Sequence, residues 1–466
     1  MRQWMVAAKK ADFYAIAEKF HVDPVVARII RNREVIGEKN IRIYLGGNLS
    51  DLSDPHQMKD MDRLVEILAQ KIRKQAHIRI IGDYDVDGVT SSHLFLTALR
   101  RVGAKVDVVI PHRIQDGYGL SLHLLQQAKE DGVDTILTCD NGIAAIDEIA
   151  WAKAQKMTVL VTDHHAVPFE EHEGRRTEKK SLADAVVNPH QQDCGYPYKE
   201  LCGAGVAWNV IRVLYENYDM DKREAEDLLD FVAMATVCDV MSLTGENRIL
   251  VKEGLKRIRH TKNIGLQALM QACNVQPENI SAYHFGYVLG PCVNATGRLD
   301  TARHALRLFE TGQETEAEEI ARDLVDLNQE RKELTLQGVE MAKKLCEEGG
   351  YENDPVLVLF LPDVHESIAG LIAGRIREMY NRPVFVLTRG EEGVKGSGRS
   401  TENYSMYENM CGCAELFTKF GGHPMAAGLS LPEENVEKFR RKINENCPLT
   451  VEEVCPDIHI DMAMPV

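Results

Sequence analysis

Apolar residues recur at helical spacing over the first part of the chain. Phe13, Ile16 and Phe20 fall on one face of a helix, and a second such set begins at Met61. Glycine, asparagine and proline between the two sets are typical of turns. The pattern therefore predicts an N-terminal helical segment, residues 1–75.

From residue 76 the pattern changes to short β-rich runs that alternate with amphipathic helices. Strands and helices that alternate at this spacing indicate an α/β fold with a doubly wound, mainly parallel sheet. We expect this sheet to form one domain, residues 76–260. The predicted strands are residues 78–81, 105–110, 135–138, 158–162 and 185–187.

The remainder of the chain predicts a helical connector, residues 261–348, and a smaller α/β domain, residues 349–450. The charged face of the connector is typical of a solvated helix. Within the smaller domain, two glycine-rich stretches, residues 395–400 and 421–424, are predicted as turns. Residues 451–466 are predicted to form a strand that would begin a further β domain. Too few residues follow it to form a partner strand.

Composition narrows the class of protein. The 466 residues are 44% hydrophobic and 27% charged, as in ordinary globular proteins. No signal peptide and no membrane-spanning run is recognisable, so we expect a cytoplasmic location and no membrane partner. Eleven cysteines lack the paired spacing of a zinc site and indicate free thiols. The net charge of −16 disfavours nucleic acid, although residues 1–50 hold nine Lys and Arg against five Asp and Glu.

An acidic stretch follows the first predicted strand. Asp83, Asp85 and Asp87 stand at alternate positions before Gly88. Three like charges so close repel one another, and a bound cation is the simplest relief. By itself the stretch would more simply be a solvated acidic turn. A calcium EF-hand loop is excluded because its twelfth position would be Leu94, which cannot bind a cation.

Two later predicted strands end in residues of the same kind. Asp140 follows one of them. Asp163, His164 and His165 follow the other. Each has an ordinary alternative, such as a helix N-cap or a structural histidine, but carboxyl ends of parallel strands share one edge of a sheet. This common position favours a site for Mn²⁺ or a similar ion. The residues expected to converge there are Asp85, Asp87, Asp140 and His164.

Asp239 lies inside a strongly apolar helical run. A buried carboxylate needs a partner, and either a metal ion or a capping or salt-bridge group would serve. The sequence weighs these two interpretations equally.

Together these motifs resemble the DHH phosphoesterase superfamily. The four matching motifs are Asp-Tyr-Asp-Val-Asp-Gly (83–88), Thr-Cys-Asp-Asn-Gly (138–142), Thr-Asp-His-His (162–165) and Val-Cys-Asp-Val (237–240). Two further segments, Asn-Ala-Thr-Gly-Arg-Leu (294–299) and Gly-Gly-His-Pro-Met-Ala-Ala-Gly (421–428), resemble the RecJ branch of single-strand-specific DNA exonucleases. The resemblance covers roughly residues 45 to 445.

The resemblance implies a role for each candidate residue. Asp140 would bridge two ions, and His164 and Asp239 would hold one of them. His165 would contact the scissile phosphate, and Asp163 would orient the histidines. The candidate catalytic residues are Asp83, Asp163 and His165. The candidate metal ligands are Asp85, Asp87, Asp140, His164 and Asp239. The candidate substrate-binding residues are Asn294, Arg298, Ser397, Arg399 and His423.

Some of these assignments depend on the resemblance alone. Without it, the glycine-rich segments that carry Arg399 and His423 would be interpreted as plain hairpin turns. Tyr118 is a candidate for stacking on a base, although a turn tyrosine is the more ordinary interpretation. The chain also departs from several relatives, because Ile81 stands where they have a histidine. We therefore expect two unequal metal positions.

The expected function is metal-dependent 5′-to-3′ hydrolysis of phosphodiester bonds in single-stranded DNA, in repair and recombination. The cofactor would be Mn²⁺ or Mg²⁺, as two ions, and a helicase or a single-strand-binding protein is a candidate partner. One alternative is a phosphodiesterase for short oligonucleotides or small nucleotides, which the long N-terminal segment disfavours. Another is a non-catalytic single-strand-binding replication factor, which the full set of candidate ligands disfavours.

Overall fold

The computed structural model describes residues 3–7, 9–113, 116–117, 119–172, 175–351, 354–390, 393–449 and 457–463. The chain divides into two compact units. We call Val35–Asn328 the central unit, and Met1–Glu34 with Gln329–Val466 the terminal unit. The predicted segment 1–75 is thus divided between the two.

The strands are numbered along the chain. They are β1 (Gln3–Val6), β2 (Ile78–Ile81), β3 (Val106–Val109), β4 (Thr135–Cys139), β5 (Thr158–Thr162), β6 (Phe169–His172), β7 (Arg175–Glu178), β8 (Ala185–Val187), β9 (Leu357–Phe360), β10 (Val384–Gly390), β11 (Gly393–Arg399), β12 (Lys419–His423), β13 (Ala426–Leu431) and β14 (Asp457–Ile460).

The helices are numbered in the same way. They are α1 (Phe13–Phe20), α2 (Pro24–Asn32), α3 (Glu38–Gly46), α4 (Met61–Arg73), α5 (Val86–Arg101), α6 (Leu122–Glu130), α7 (Ile146–Ala154), α8 (Gly203–Asn217), α9 (Lys222–Glu226), α10 (Leu229–Cys238), α11 (Gly245–Arg257), α12 (Ile264–Ala272), α13 (Ala282–His284), α14 (Gly290–Leu299), α15 (Ala302–Glu310), α16 (Glu314–Glu348), α17 (Glu366–Tyr380), α18 (Met406–Cys411) and α19 (Val436–Glu445). A π-helical segment, Phe285–Leu289, joins α13 to α14.

The central unit is built on a five-stranded parallel sheet in the order β3-β2-β4-β5-β8. Alternate residues of its strands enter two different cores. Ile80 packs in the core that includes α4, α5 and α8, whereas Ile81 packs in the core that includes α6 and α7. Helices therefore cover both faces, and the predicted doubly wound α/β fold is confirmed.

The pattern after the acidic stretch predicts a helix over about residues 89–102, and α5 begins three residues before this range. Its N-cap is Asp85, whose Oδ1 accepts a hydrogen bond from the N–H of Gly88 at 3.0 Å. Asp87 consequently lies in the first turn of the helix. A Cβ atom on Gly88 would lie 2.5 Å from the backbone of Asp83, so glycine lets the helix start directly against the preceding loop.

Helices dominate the rest of the central unit. The segments α13, Phe285–Leu289 and α14 follow one another without a break and form one helical run. Helix α16 has 35 residues and passes from the central unit into the terminal unit, which confirms the predicted connector helix.

The terminal unit contains a five-stranded mixed sheet in the order β12-β13-β11-β10-β9. Only the pair of β9 and β10 is parallel among the described pairs of this sheet. The two glycine-rich stretches predicted as turns lie mostly in strands, residues 395–399 in β11 and residues 421–423 in β12, so the prediction was wrong for these residues; Pro424 lies in the turn before β13. Packing explains the glycines: a Cβ on Gly396 would lie 2.4 Å from Leu387, and one on Gly398 would lie 2.4 Å from Met406.

Strand β14 has a partner, contrary to the prediction. It pairs in parallel with β1, at the other end of the sequence. The pattern of the first residues did not indicate a strand, and a pairing between such distant segments leaves no local signal.

In the described part of the chain, no helix has the length and apolar character needed to cross a membrane. No disulfide bond links cysteines there either.

Candidate metal centre

The imidazole of His164 lies among carboxylates from three different elements of the central unit. Its Nε2 atom is 3.1 Å from Oδ1 of Asp140, 3.6 Å from Oδ2 of Asp239 and 3.7 Å from Oδ2 of Asp87. The end of β4, the first turn of α5 and the end of α10 supply the three carboxylates. Predicted candidates that are far apart in sequence therefore meet at one point.

A second group of carboxylates adjoins the first. Ligand atoms of Asp83, Asp85 and Asp140 all lie within 4.8 Å of one another. The same limit holds for Asp140, His164 and His165. Asp140 is thus common to both groups, which is the geometry required of a bridging ligand.

Helix α8 holds the side chain of Asp87. The backbone N–H groups of Gly203 and Ala204 donate hydrogen bonds to its Oδ2 and Oδ1 at 2.6 and 2.7 Å. Both donors belong to the first turn of the helix, where unpaired N–H groups and the helix dipole favour an anion. The carboxylate is fixed in orientation before any cation binds.

The backbone at Asp140 has the left-handed conformation, with φ of 61°. Aspartate tolerates this conformation better than most residues. A Cβ on Gly203 would lie only 2.6 Å from Cβ of Asp140, so α8 can approach this closely only through a glycine. Asn141 ties the loop to the sheet, because its Nδ2 donates to the carbonyl of Ile81 at 3.0 Å.

Asp163 fixes the ring of His165. Its Oδ1 accepts from Nδ1 of His165 at 2.8 Å and from the backbone N–H of His164 at 2.7 Å. Its Oδ2 accepts from the N–H of Ile143 at 2.8 Å. Burial opposes the charged forms of both partners, but their mutual interaction lowers the pKa of Asp163 and raises the pKa of His165 to about 9.

The other carboxylates repel one another. Burial raises the pKa values of Asp83 and Asp140 well above their ordinary range, and neighbouring carboxylates raise them further. Burial, together with Asp87 and Asp85, raises the pKa of Asp239 to about 8. A divalent cation would remove this repulsion.

The donor atoms fit a divalent cation. Oδ1 of Asp83 and Nε2 of His164 are buried and make no hydrogen bond within the described residues. Such atoms are costly without a partner, and carboxylate oxygen with imidazole nitrogen is a suitable donor set for Mn²⁺. Ile81, by contrast, is fully buried in the sheet core and offers no ligand.

Among the candidate substrate-binding residues of the central unit, Asn294 contacts the segment that carries the carboxylates. Oδ1 of Asn294 accepts from the N–H of Val86 at 3.2 Å, directly between Asp85 and Asp87 in the chain. Arg298 lies one turn further along α14 and is half-buried. Asn294 therefore supports the start of α5, a contact that sequence reasoning did not predict.

The other three candidates lie on the mixed sheet of the terminal unit. Arg399 of β11 and His423 of β12 both pair with Ala426 of β13, from opposite sides. Ser397 precedes Arg399 by two residues on β11 and so faces the same side of the sheet. Tyr118 lies outside the described residues.

Sequence reasoning missed two further residues near the carboxylates. Gly203 is one, and its only signal was a glycine-rich start to an apolar helix. Arg113 is the other: its guanidinium lies 4.3 Å from the ring centre of Tyr84, and its charge acts on Asp83 and Asp85. Nothing in the local pattern distinguished Arg113 from an ordinary surface arginine.

Comparison with known proteins agrees with this architecture. The DHH family, N-terminal domain, matches residues 77–236, and the DHHA1 domain matches residues 353–447. The single-stranded-DNA-specific exonuclease RecJ of Haemophilus influenzae is 36% identical over 91% of this chain and 74% of its own length. The RecJ protein of Bacillus subtilis is 33% identical over 96% of this chain and 56% of its own length.

A solved structure is similar over nearly the whole chain. The crystal structure of RecJ from Thermus thermophilus in complex with Mn²⁺ has a TM-score of 0.81 and 28% identity, and the match covers 98% of this chain and 64% of that one. The doubly wound sheet, the carboxylate and histidine cluster and the second α/β unit define a DHH-type fold with a DHHA1 domain. Within this class, the chain belongs to the RecJ family. It spans little more than half the length of the Bacillus subtilis relative.

Proposed function

We propose that the chain is a metal-dependent exonuclease that hydrolyses phosphodiester bonds of single-stranded DNA from the 5′ end. The observation that carries this proposal is the position of His164 Nε2, within 3.7 Å of carboxylate oxygens from Asp87, Asp140 and Asp239. The names of the relatives support single-stranded DNA as the substrate, and the positions of these side chains support the proposed metal site.

The metal centre would hold two ions of Mn²⁺ or Mg²⁺. Asp83 would stand beside the ligands, and Asp140 would be shared by the two positions. A bound divalent cation supplies Lewis-acid stabilisation of the phosphoryl oxygens and lowers the pKa of a bound water. The proposed ligands are Asp85, Asp87, Asp140, His164 and Asp239.

Side chains of the protein would orient the phosphate. The ring of His165 is 41% exposed, and its Nδ1 is engaged by Asp163, which directs the opposite edge of the ring away from that carboxylate. We assign the contact with the scissile phosphate to this edge. Asp163 is accordingly a positioning residue.

The remaining phosphates of the strand would bind to the other candidates. Asn294 contacts the backbone between Asp85 and Asp87, and Arg298 lies one turn further along the same helix. Ser397, Arg399 and His423 would provide a second set of polar groups on the sheet of the terminal unit. A role in repair and recombination, a cytoplasmic location and a helicase or single-strand-binding protein as partner belong to the same proposal, since each is compatible with a single-stranded DNA substrate.

Asp140→Asn tests the proposal. Asparagine has the same shape and also tolerates the left-handed backbone at this position, whereas its amide is a poor metal ligand. We expect Mn²⁺-dependent release of nucleotides from single strands to fall by on the order of 100-fold. Strands labelled at either end, assayed during a metal titration, measure rate and direction together.

Asp134→Asn is the matched control, because this acid lies beside the opposite end of β4 and pairs with Lys71. It should keep full activity. Wild-type rates for Asp140→Asn would refute the proposed site. Hydrolysis of a dinucleotide but not of a long strand would refute the proposed substrate.

A further inference from the structure

Two tyrosines with exposed and stacked rings lie on the helical run that contains α13 and α14. The ring centres of Tyr283 and Tyr287 are 5.1 Å apart, and the planes differ by 23°. The residues are 62% and 71% exposed. Single exposed apolar residues are common, but two stacked rings form an exposed aromatic stack whose outer faces can take a further planar ring, and we call this stack the tyrosine platform.

The helix under the platform packs closely on the end of α10. A Cβ on Gly290 would lie 2.3 Å from Sγ of Cys238, and one on Gly286 would lie 3.5 Å from Val237. The thiol of Cys238 also donates to the carbonyl of Phe285 at 3.3 Å. The platform is thus supported by the turn that precedes Asp239.

The same helical run continues to the carboxylates. Asn294, which accepts from the N–H of Val86, lies about 10 Å beyond Tyr287 along the axis, at about 1.5 Å per residue. A Cβ on Gly297 would lie 2.4 Å from the carbonyl oxygen of Tyr84. One continuous helical run therefore connects the tyrosine platform to the segment of Tyr84 and Val86, between the acidic residues at the start of α5.

We propose that the tyrosine platform binds bases of the single strand whose phosphodiester bond is cleaved at the metal centre. This inference rests on the proposed function and adds a base-binding surface to it. Every base has a flat face that stacks on an aromatic ring, so such a surface accepts any sequence. Bases inside a duplex are already stacked on both sides, which makes the platform selective for single strands.

Charge gives a second reason for a stacking contact. The net charge of −16 opposes the approach of a polyanion, and phosphate contacts weaken as salt increases. Stacking on tyrosine does not depend on charge. The platform would retain the strand under conditions in which phosphate contacts by themselves are weak.

The test compares two double variants. One combines Tyr283→Ala and Tyr287→Ala, and the other combines Tyr283→Phe and Tyr287→Phe. Phenylalanine keeps the ring faces and removes only the hydroxyl groups. Tyr14→Ala is a matched control, because Tyr14 is 78% exposed and lies in the terminal unit. Binding of a fluorescent oligodeoxynucleotide is measured by anisotropy without divalent metal, and KM and kcat are measured with Mn²⁺.

We expect the alanine variant to bind the oligodeoxynucleotide about tenfold more weakly and to show a similar rise in KM. The phenylalanine variant and Tyr14→Ala should match the wild type. A strand of the same length without bases should bind equally to the wild type and to the alanine variant, because only its phosphates are left to bind.

Two results would overturn the platform. One is equal affinity of the alanine variant and the wild type for the strand with bases. The other is an equal loss of affinity for the strand without bases, which would show that the substitutions act through the fold. The binding assay needs no hydrolysis, so an inactive wild type would refute the proposed function and still leave the platform to be judged by affinity.

Discussion

Val240 has a backbone conformation that β-branched residues rarely adopt. Its φ is 58°, and it is 88% exposed. Its N–H donates to the carbonyl of Val237, and the N–H of Met241 donates to that of Thr236, both at 3.2 Å. This pattern is a Schellman motif, in which glycine usually occupies the left-handed position. The strained turn ends α10 and places Asp239 at its C-cap.

Val240→Gly should stabilise the protein. A left-handed conformation costs an L-residue about 1–2 kcal/mol, and part of this gain is offset by the greater freedom of glycine in the unfolded chain. We expect the free energy of unfolding to rise by about 1 kcal/mol, measured by urea denaturation. Val26→Gly, on helix α2, should lower it instead because its backbone is helical. A loss of stability in Val240→Gly would contradict the assigned strain.

His93 is a second residue whose environment in the structure is unfavourable for stability. Its ring centre lies 4.4 Å from that of Phe231 and 5.8 Å from that of Phe309, and its Nδ1 makes no hydrogen bond within the described residues. Burial lowers the pKa of His93 to about 3. In the unfolded chain the pKa would be about 6.5, so acid protonates the unfolded state first.

Stability should therefore fall as the pH decreases from about 6.5 towards 3, and His93→Phe should remove this contribution. Relative to the wild type, the substitution should raise the free energy of unfolding by about 2 kcal/mol more at pH 5 than at neutral pH. The reason is that pH 5 lies about 1.5 units below the pKa of about 6.5 in the unfolded chain. Urea denaturation at the two pH values measures the difference. The exposed His260, replaced by phenylalanine, is the control. An equal pH dependence of His93→Phe and wild type would contradict the assignment.

At the scale of residues, the sequence predicted the candidate site residues that directly follow strands. Asp140 and His164 could be found because strand ends in a parallel sheet share an edge, which is a property of the pattern itself. Gly203, Arg113 and the contact of Asn294 could not be found in this way. Each depends on how closely a distant helix or loop approaches the site, and a single sequence does not report such distances.

At the scale of elements, the start of α8 is a structural part of the candidate metal centre. Its first two N–H groups hold Asp87, and the missing side chain of Gly203 leaves room for Asp140. The helix contributes its dipole and its backbone donors to the site rather than a ligand of its own.

Gly203→Ala should damage the metal centre more than the fold. The new Cβ would lie 2.6 Å from Cβ of Asp140, so either the helix or the carboxylate of Asp140 must shift. We expect the affinity for Mn²⁺ to fall by roughly 10–100-fold, as for other groups that orient metal ligands. Isothermal titration with Mn²⁺ measures this change.

Gly374→Ala is the control for Gly203→Ala, since nothing lies within 4 Å of its new Cβ and it stands inside helix α17. It should leave Mn²⁺ affinity unchanged and raise stability slightly. Wild-type affinity in Gly203→Ala would show that the site tolerates a displaced α8.

Element types were predictable where periodicity was strong. The strands of the central sheet and the long helix α16 follow directly from apolar spacing. Strands β11 and β12 were missed because their glycines are also turn residues. In the folded protein those glycines make room for Leu387 and Met406, so tertiary packing outweighed the local preference.

At the scale of the whole molecule, the terminal unit joins segments from both ends of the sequence. Strands β1 and β14 pair in parallel, and Arg28 connects them to α2. Its Nε donates to the carbonyl of Asp461, 433 residues away, and its Nη2 donates to the carbonyl of Ala7, both at 2.9 Å. Such pairing has no local sequence signal, which is why the prediction left the last strand without a partner.

Arg28→Ala should loosen both strands together. It removes two hydrogen bonds of a charged donor, and an isolated two-stranded pair has little stability of its own. We expect amide hydrogen exchange in Gln3–Val6 and Asp457–Ile460 to accelerate about tenfold, measured by mass spectrometry. Arg31→Ala is the control, because Arg31 makes only an exposed ion pair with Glu34 in the described structure, and such pairs contribute little. If only one of the two strands exchanged faster in Arg28→Ala, the two ends would not form a single cooperative element, and the parallel pairing would have to be held by other contacts.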